Sequence, residues 1–367
     1  MIQSALATVV DFSGYVRGRD SAVRSLENFL YPSTVATDMT QSRLSEIRDI
    51  GDLARATGIP KDFIAAYANS QAQSDAYSVV LIPKKGRKRR GHFRATFSAN
   101  QEWLSQLHRG VAMIVLNSVD FGEHVQGFIK KRSIRTNAEH HLGAKQLLHA
   151  DISNFFDSIT TNQITQNLIT VGAAPEAASL IAKSCTIDGL LRQGTRCSPI
   201  LANLVCRSLD ADMISLAQSI GAKYTRYADD LTFSGDQTPS SDSVDAIITQ
   251  HGFTLRDGRC YLQQKGHRQY VTGLTVADTA QPHLPKRLKS RLRLVMHYIE
   301  RNGVRAHFAH DCKRPIARNA NELWGMLRFA KSIEPDLAST WLDQWKAGER
   351  IDSSKERRRL KKLARWL

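Results

Sequence analysis

The chain has 367 residues, 42% of them hydrophobic, and a formal net charge of +16. That length and apolar share exclude both a disordered polymer and a small disulfide-stapled domain, and leave room for two or three subdomains around a sizeable core. The basic surplus favours a polyanionic partner, nucleic acid before acidic membrane.

Five cysteines stand at positions 185, 197, 206, 260 and 312, with no Cys-x-x-Cys pair among them. Most of them read as small buried apolar residues in a reducing compartment. The start, Met1-Ile2-Gln3-Ser4-Ala5, has no basic lead, and Asp11 interrupts its apolar run early, so no signal peptide is expected. No apolar stretch approaches a membrane span, which makes a cytoplasmic protein with no membrane partner the expectation.

Residues 1–75 read as a helical layer: Ile47, Ile50, Leu53 and Ala54 recur at helical spacing, and Thr57-Gly58-Ile59-Pro60 ends that element. Tyr77–Ile82 then reads as a strand and Phe93–Phe97 as its returning partner. The turn between them is crowded with Lys84, Lys85, Arg87, Lys88, Arg89 and Arg90, a density that suits contact with phosphates. Trp103, Leu104, Leu107, Val111, Ile114 and Val115 form a core-facing helical stripe. His140 and His141 are read as hydrogen-bonding residues, because adjacent side chains rarely converge on one ion.

Gln146–Phe156 is a mostly apolar run that predicts a buried strand delivering Asp151 at its end, closed by Phe155 and Phe156. Residues 161–184 read as two helices joined by Gly-Ala-Ala-Pro. Gln193-Gly194 follows, then Ser198-Pro199, with Ser198 expected to cap an apolar helix running to Met213. Lys223–Ser234 reads as two short strands meeting at an Ala228-Asp229-Asp230 turn, which presents two adjacent carboxylates at an exposed tip. Like charges so close call for a cation. With Asp151 on a neighbouring strand, three carboxylates could hold two Mg²⁺ ions, an arrangement suited to phosphoryl transfer. An amphipathic helix ends at His251-Gly252 and a strand over 253–255 is expected after it. Beyond Leu284-Pro285, Lys286, Arg287, Lys289, Arg291 and Arg293 interleave with Leu288, Leu292, Val295 and Met296, one face for core and one for phosphates. Trp324, Phe329, Trp341 and Trp345 are expected to pack a C-terminal helical bundle, and the tail from Lys355 is again basic.

Asp151 with Phe156 five residues on, the Gln193-Gly194-Thr195-Arg196-Cys197-Ser198-Pro199 tract and Tyr227-Ala228-Asp229-Asp230 resemble, in that order, the palm of a reverse transcriptase. Asn137-Ala138-x-x-His141 and Val271-Thr272-Gly273 resemble markers of the retron type. The resemblance covers roughly residues 77–335. It implies an α+β right-hand polymerase fold: an N-terminal helical region over 1–75, fingers over 76–145, a palm with a small antiparallel sheet over 146–282, and a helical thumb with basic C-terminal helices over 283–367.

The resemblance also implies roles. Asp151, Asp229 and Asp230 would be the catalytic metal ligands for two Mg²⁺ ions, with Asp229 the closer ligand. Phe156 would select deoxynucleotides by excluding a 2′-hydroxyl, the turn at Gln193 and Gly194 would approach the incoming nucleotide and template base, and Tyr227 would support the primer end. Lys84, Lys85, Arg89, Arg90, Lys286, Arg287 and Arg291 would meet nucleic acid. Where the family carries an Asn and then a Lys, this chain has Arg256 and Arg259, and arginine is a poor proton donor to a leaving pyrophosphate. The implied activity is RNA-directed DNA synthesis from dNTPs on a cognate structured noncoding RNA, giving branched multicopy single-stranded DNA in a bacterial cytoplasm, in anti-phage defence. No fused nuclease or toxin domain is evident, so a separate effector protein is expected. A group II intron-like or other bacterial reverse transcriptase, and a non-catalytic RNA-binding scaffold, are the alternatives.

Overall fold

The computed structural model describes residues 42–83, 93–309 and 316–363. Lys84, Lys85, Arg89 and Arg90 of the basic turn, residues 1–41, Cys312 and the last four residues lie outside the described residues. The chain divides into two compact units between Thr272 and Gly273.

The unit ending at Thr272 opens with two short helices. In α1 (Ile50–Thr57) the Asp49 side chain accepts from the Asp52 amide, and Gly58 closes the helix in the left-handed region at φ 70°. α2 (Lys61–Ala68) follows Pro60, and both helices bury Leu53 and Ile64 in one core with Leu104, Leu107 and Val111 of α3 (Glu102–Ser118). Between them lies a two-stranded ribbon, β1 (Tyr77–Pro83) and β2 (Phe93–Ala99), antiparallel from Tyr77↔Ala99 to Pro83↔Phe93. Tyr77 is buried, while Val79, Val80, Leu81 and Phe93 are exposed.

After the short α4 (Ile134–Glu139) the chain enters the central sheet through β3 (Gln146–Asp151). α5 (Thr161–Thr170) and α6 (Pro175–Cys185) follow as the pattern predicts. The next helix differs from its expectation. α7 (Ser198–Val205) ends at Cys206, and a separate helix, α8 (Arg207–Ser219), carries on well past Met213. Nor is Ser198 its cap. Cys197 holds the cap position, and the Ser198 hydroxyl is drawn back to the Arg192 carbonyl at 2.6 Å, tying down the preceding loop.

β4 (Lys223–Tyr227) and β5 (Asp230–Gly235) form the expected hairpin, followed by α9 (Ser241–Gln250). Residues 253–255 are not a strand. Leu255 makes a single bridge to Ile152, because this segment follows the chain past the end of β3 one hydrogen bond at a time. The strand here is β6 (Tyr261–Gln264), and the sheet runs β4-β5-β3-β6, all antiparallel. β3 is central, and its Leu147, Leu148 and Ala150 are buried. Phe155 and Phe156 lie beyond it in the turn after Asp151 rather than closing the strand.

The second unit is helical: α10 (Lys286–Asn302), α11 (Val304–Ala309), α12 (Ala320–Ile333) and α13 (Pro335–Leu363). α10 buries Leu288, Leu292, Met296 and Ile299 and exposes Lys286, Arg287, Arg291 and Arg293. Lys289 turns instead to Glu334 at 3.2 Å. Trp341 and Trp345 are buried, and Trp345 meets Trp324 with ring centroids 5.4 Å apart.

Candidate active site

The register of the sheet brings the acids together. Asp151 is the last residue of β3 and stands directly opposite Asp230, the first residue of β5. Asp229 sits between β4 and β5 in a two-residue turn, and its carbonyl accepts from the Ile152 amide at 2.9 Å. One end of the sheet therefore carries all three carboxylates. Arg256 lies among them. Its Nη1 reaches both Asp151 oxygens at 2.7 Å, its Nη2 stands 3.6 Å from Asp229 Oδ2, and Nη2 also donates to the Ile152 carbonyl at 3.3 Å.

Asp230 keeps an exposed edge, yet its carboxyl is raised well above the ordinary carboxylate range. Desolvation by surrounding protein contributes first, then the charges of Asp229 and Asp151, opposed by Arg256 and Arg259. The open edge limits the desolvation, and the like charges act regardless of it. The donor set fits a hard divalent cation: oxygens only, negative beyond what the arginines neutralise, and open to solvent at Asp229, whose side chain is 36% exposed. Among the described residues, the group with ligand atoms all within 4.8 Å of one another is a different one, His108, Cys185 and Cys197. That cluster is core. His108 Nε2 already bonds the Ser184 carbonyl and the Tyr77 hydroxyl, and burial raises the Cys185 thiol, so it stays protonated. The acids are spread across one end of the sheet instead, a layout for ligands shared between ions.

Sequence reasoning missed what lies under the turn. Ala228 adopts φ 58°, a conformation that costs a residue with a side chain. Two contacts hold it. Gly127 packs so close that a Cβ there would fall 2.7 Å from the Ala228 amide nitrogen. Arg226, fully buried, donates through Nη1 to the Ala228 carbonyl at 3.3 Å and to Asn203 Oδ1 at 3.0 Å, and Asn203 in turn donates to the Gly127 carbonyl at 3.0 Å. Its remaining nitrogens grip Asp210 of α8: Nε to Oδ1 at 2.8 Å and Nη2 to Oδ2 at 2.7 Å. Burial works against the guanidinium charge, but Asp210 outweighs it and holds Arg226 protonated.

On the far side of the hairpin the two marker tracts meet. Thr225 donates to Asn137 Oδ1 at 2.7 Å, so it accepts from His141 Nε2, also at 2.7 Å, and His141 Nδ1 accepts from Ser234 at 2.6 Å. That pattern requires the neutral ring, and burial lowers the His141 pKa to about 3. Asn137 also reaches Thr272 at 3.5 Å. His141 thus joins β4 to β5 as a hydrogen-bonding histidine.

The other expected site residues surround this end of the unit. Phe156 is half-buried against Phe155 and Phe128, with centroids 5.3 and 6.3 Å away. Tyr227 pairs with Asp230 in the last rung of the hairpin, and burial, with the Asp230 charge, raises its pKa to about 12. Gly194, at φ 112°, makes its close approach to strand β2: a Cβ would fall 2.5 Å from the Phe97 carbonyl oxygen, and the Gln193 carbonyl accepts from the Phe97 amide at 2.8 Å. Lys286, Arg287 and Arg291 lie on the exposed face of α10, in the other unit.

Residues 82–265 match the reverse transcriptase (RNA-dependent DNA polymerase) family. The chain is 30% identical to the retron Mx65 reverse transcriptase of Myxococcus xanthus over 78% of this chain and 69% of that protein. It is 32% identical to the retron Ec86 reverse transcriptase of Escherichia coli over 55% and 63%, and 27% identical to the retron Mx162 reverse transcriptase of Myxococcus xanthus over 82% and 67%. Each match spans about two thirds of the relative's own length.

Proposed function

The chain belongs to the retron-type reverse transcriptases, RNA-directed DNA polymerases with a right-hand fold, and we propose that Asp151, Asp229 and Asp230 form its catalytic centre around two Mg²⁺ ions. The observation that carries this reading is the register that sets Asp151 across from Asp230, with Asp229 in the adjoining turn. Divalent-metal dependence follows from the family. When bound, such ions activate the attacking hydroxyl and stabilise the leaving oxygen.

The chain's own residues do the rest. Arg226, Asn203 and Gly127 fix the turn from which Asp229 projects, so its carboxylate meets the reacting groups preorganised. Tyr227 borders the primer end and Gln193 the incoming nucleotide. Phe156 lies beneath the sugar, where its ring leaves no space for a 2′-hydroxyl. Its Phe128 and Phe155 neighbours restrict the ring's movement. Replacing Phe156 with Ala is expected to reduce discrimination against ribonucleotides by about tenfold to a hundredfold, measured as the ratio of kcat/KM for dNTP and rNTP. Unchanged sugar selection would remove the role.

We further propose that the enzyme binds one structured noncoding RNA and copies part of it into branched multicopy single-stranded DNA. The exposed basic face of α10 supports this, as does the +16 net charge. Lys84, Lys85, Arg89 and Arg90 would add phosphate contacts. In this reading the complex works in the cytoplasm of a bacterium with a separate effector protein, in defence against phage. The test is the nucleic acid that co-purifies with the protein, digested with RNase and DNase in turn and sequenced. One RNA species with covalently attached DNA is expected, and a random RNA population would overturn the retron role while leaving the polymerase intact.

A further inference from the structure

We propose that Arg256 is a resident counter-cation of the acid cluster, which competes with the divalent metal for Asp151 and Asp229 and so sets the metal concentration the enzyme needs. The inference rests on the assignment of those two carboxylates as metal ligands.

The geometry is that of a cation already in the ligand sphere. One guanidinium nitrogen, Nη1, lies 2.7 Å from each Asp151 oxygen and donates its hydrogen bond to Oδ2. The second nitrogen reaches across to Asp229 at 3.6 Å. One side chain therefore spans the two carboxylates that two different elements supply. A metal ion that takes up Asp151 oxygens must displace the same guanidinium. Two positive charges on one carboxylate repel, and Asp151 Oδ2 already accepts a hydrogen bond from Arg256.

The backbone is arranged so that the side chain can leave without unfolding anything. Arg256 donates its amide to the Asp151 carbonyl at 2.8 Å, and its own carbonyl accepts from Arg259 at 3.0 Å. Those bonds hold the main chain, and the side chain stays 31% exposed, with solvent to move into. Arg256 also offsets charge that would otherwise act on the fold. Its loss takes from Asp151 a cation at 2.7 Å and from Asp229 one at 3.6 Å, and leaves the acids at this end of the sheet facing one another.

Competition of this kind multiplies the intrinsic metal affinity by the fraction of molecules in which the ligands are free. If the guanidinium holds Asp151 nine-tenths of the time, apparent affinity is about tenfold weaker than the acids alone would give. An uncharged, shorter side chain removes that penalty. A lysine keeps the charge but loses the two-pronged fit.

The experiment uses the full chain with its co-purified nucleic acid removed, and three variants: Arg256→Asn, Arg256→Lys and Asp229→Asn. Mn²⁺ binding is followed by electron paramagnetic resonance of the free ion, and the melting temperature is measured in EDTA and in MgCl₂. Arg256→Asn is expected to bind Mn²⁺ about five- to tenfold more tightly than wild type, to melt lower in EDTA, and to gain more from MgCl₂. Arg256→Lys is expected to fall between the two, and serves if the Asn variant does not fold. Unchanged or weaker Mn²⁺ affinity in both Arg256 variants, alongside a wild type that binds Mn²⁺ and an Asp229→Asn variant that does not, would overturn the counter-cation role alone. Wild-type binding that survives intact in Asp229→Asn would overturn the underlying ligand assignment as well.

Discussion

Asp229→Asn is expected to abolish primer extension, with a loss of at least two to three orders of magnitude in rate, while the protein folds and binds RNA as before. The two halves of that expectation have separate physical grounds. The amide keeps the shape of the carboxylate but not its charge, so it forfeits the ligand and the counter-charge that a divalent ion would need. The fold, by contrast, uses Asp229 through its backbone: the carbonyl, not the side chain, accepts from Ile152. The side chain is 36% exposed, and removing its charge relieves repulsion on Asp230. The melting temperature in EDTA should therefore hold or rise slightly. Extension at the wild-type rate would remove Asp229 from the chemistry. A rate loss that comes with a lowered melting temperature would instead mean that the substitution had disturbed the turn.

What the sequence made legible follows the range of the interactions involved. β1, β2, β3 and the β4–β5 hairpin are written in local alternation and turn chemistry, and each forms as that pattern predicts. Asp151 and the Asp229-Asp230 pair could be found because each ends or joins a strand. β6 could not be read. Tyr261-Leu262-Gln263-Gln264 has two glutamines, and Leu262 is 45% exposed. Its strand character comes from pairing with β3, which no window of sequence contains. The expected strand over 253–255 failed for the converse reason. Phe-Thr-Leu alternates well, but this stretch spends its hydrogen bonds on Ser153 and Asp151 as the chain rounds the acid cluster.

The residues that shape the site were the least legible of all. Arg256 gave one signal, an arginine where the family carries asparagine, and its consequence was visible only when the loop came to rest against Asp151. Arg226 gave none. A charged residue inside a Lys-Tyr-Thr-Arg-Tyr strand reads as solvent-facing, and Asp210 reads as the polar side of a helix. Each is explained only by the other, through the packing of α8 against β4.

That pair carries the largest expected effect on stability. Asp210→Ala should cost about 3–5 kcal/mol, measured by urea denaturation, because it leaves a guanidinium buried without its counter-charge. Asp210 also accepts from the Tyr224 hydroxyl at 2.8 Å, so a second polar group is orphaned with it. Removing both charges should be milder than removing one. The double variant Asp210→Ala with Arg226→Met is expected to recover a substantial part of the loss, since a buried ion pair owes much of its apparent worth to the penalty for breaking it. Activity should not recover in parallel. Without Arg226 the Ala228 carbonyl and Asn203 lose their donor, and the turn carrying Asp229 is held at Gly127 alone on that side. The double variant should therefore be better folded than Asp210→Ala and still slow in primer extension, with the deficit in kcat rather than in the KM for dNTP. If stability and kcat return together, the ion pair serves the core and the turn does not depend on it.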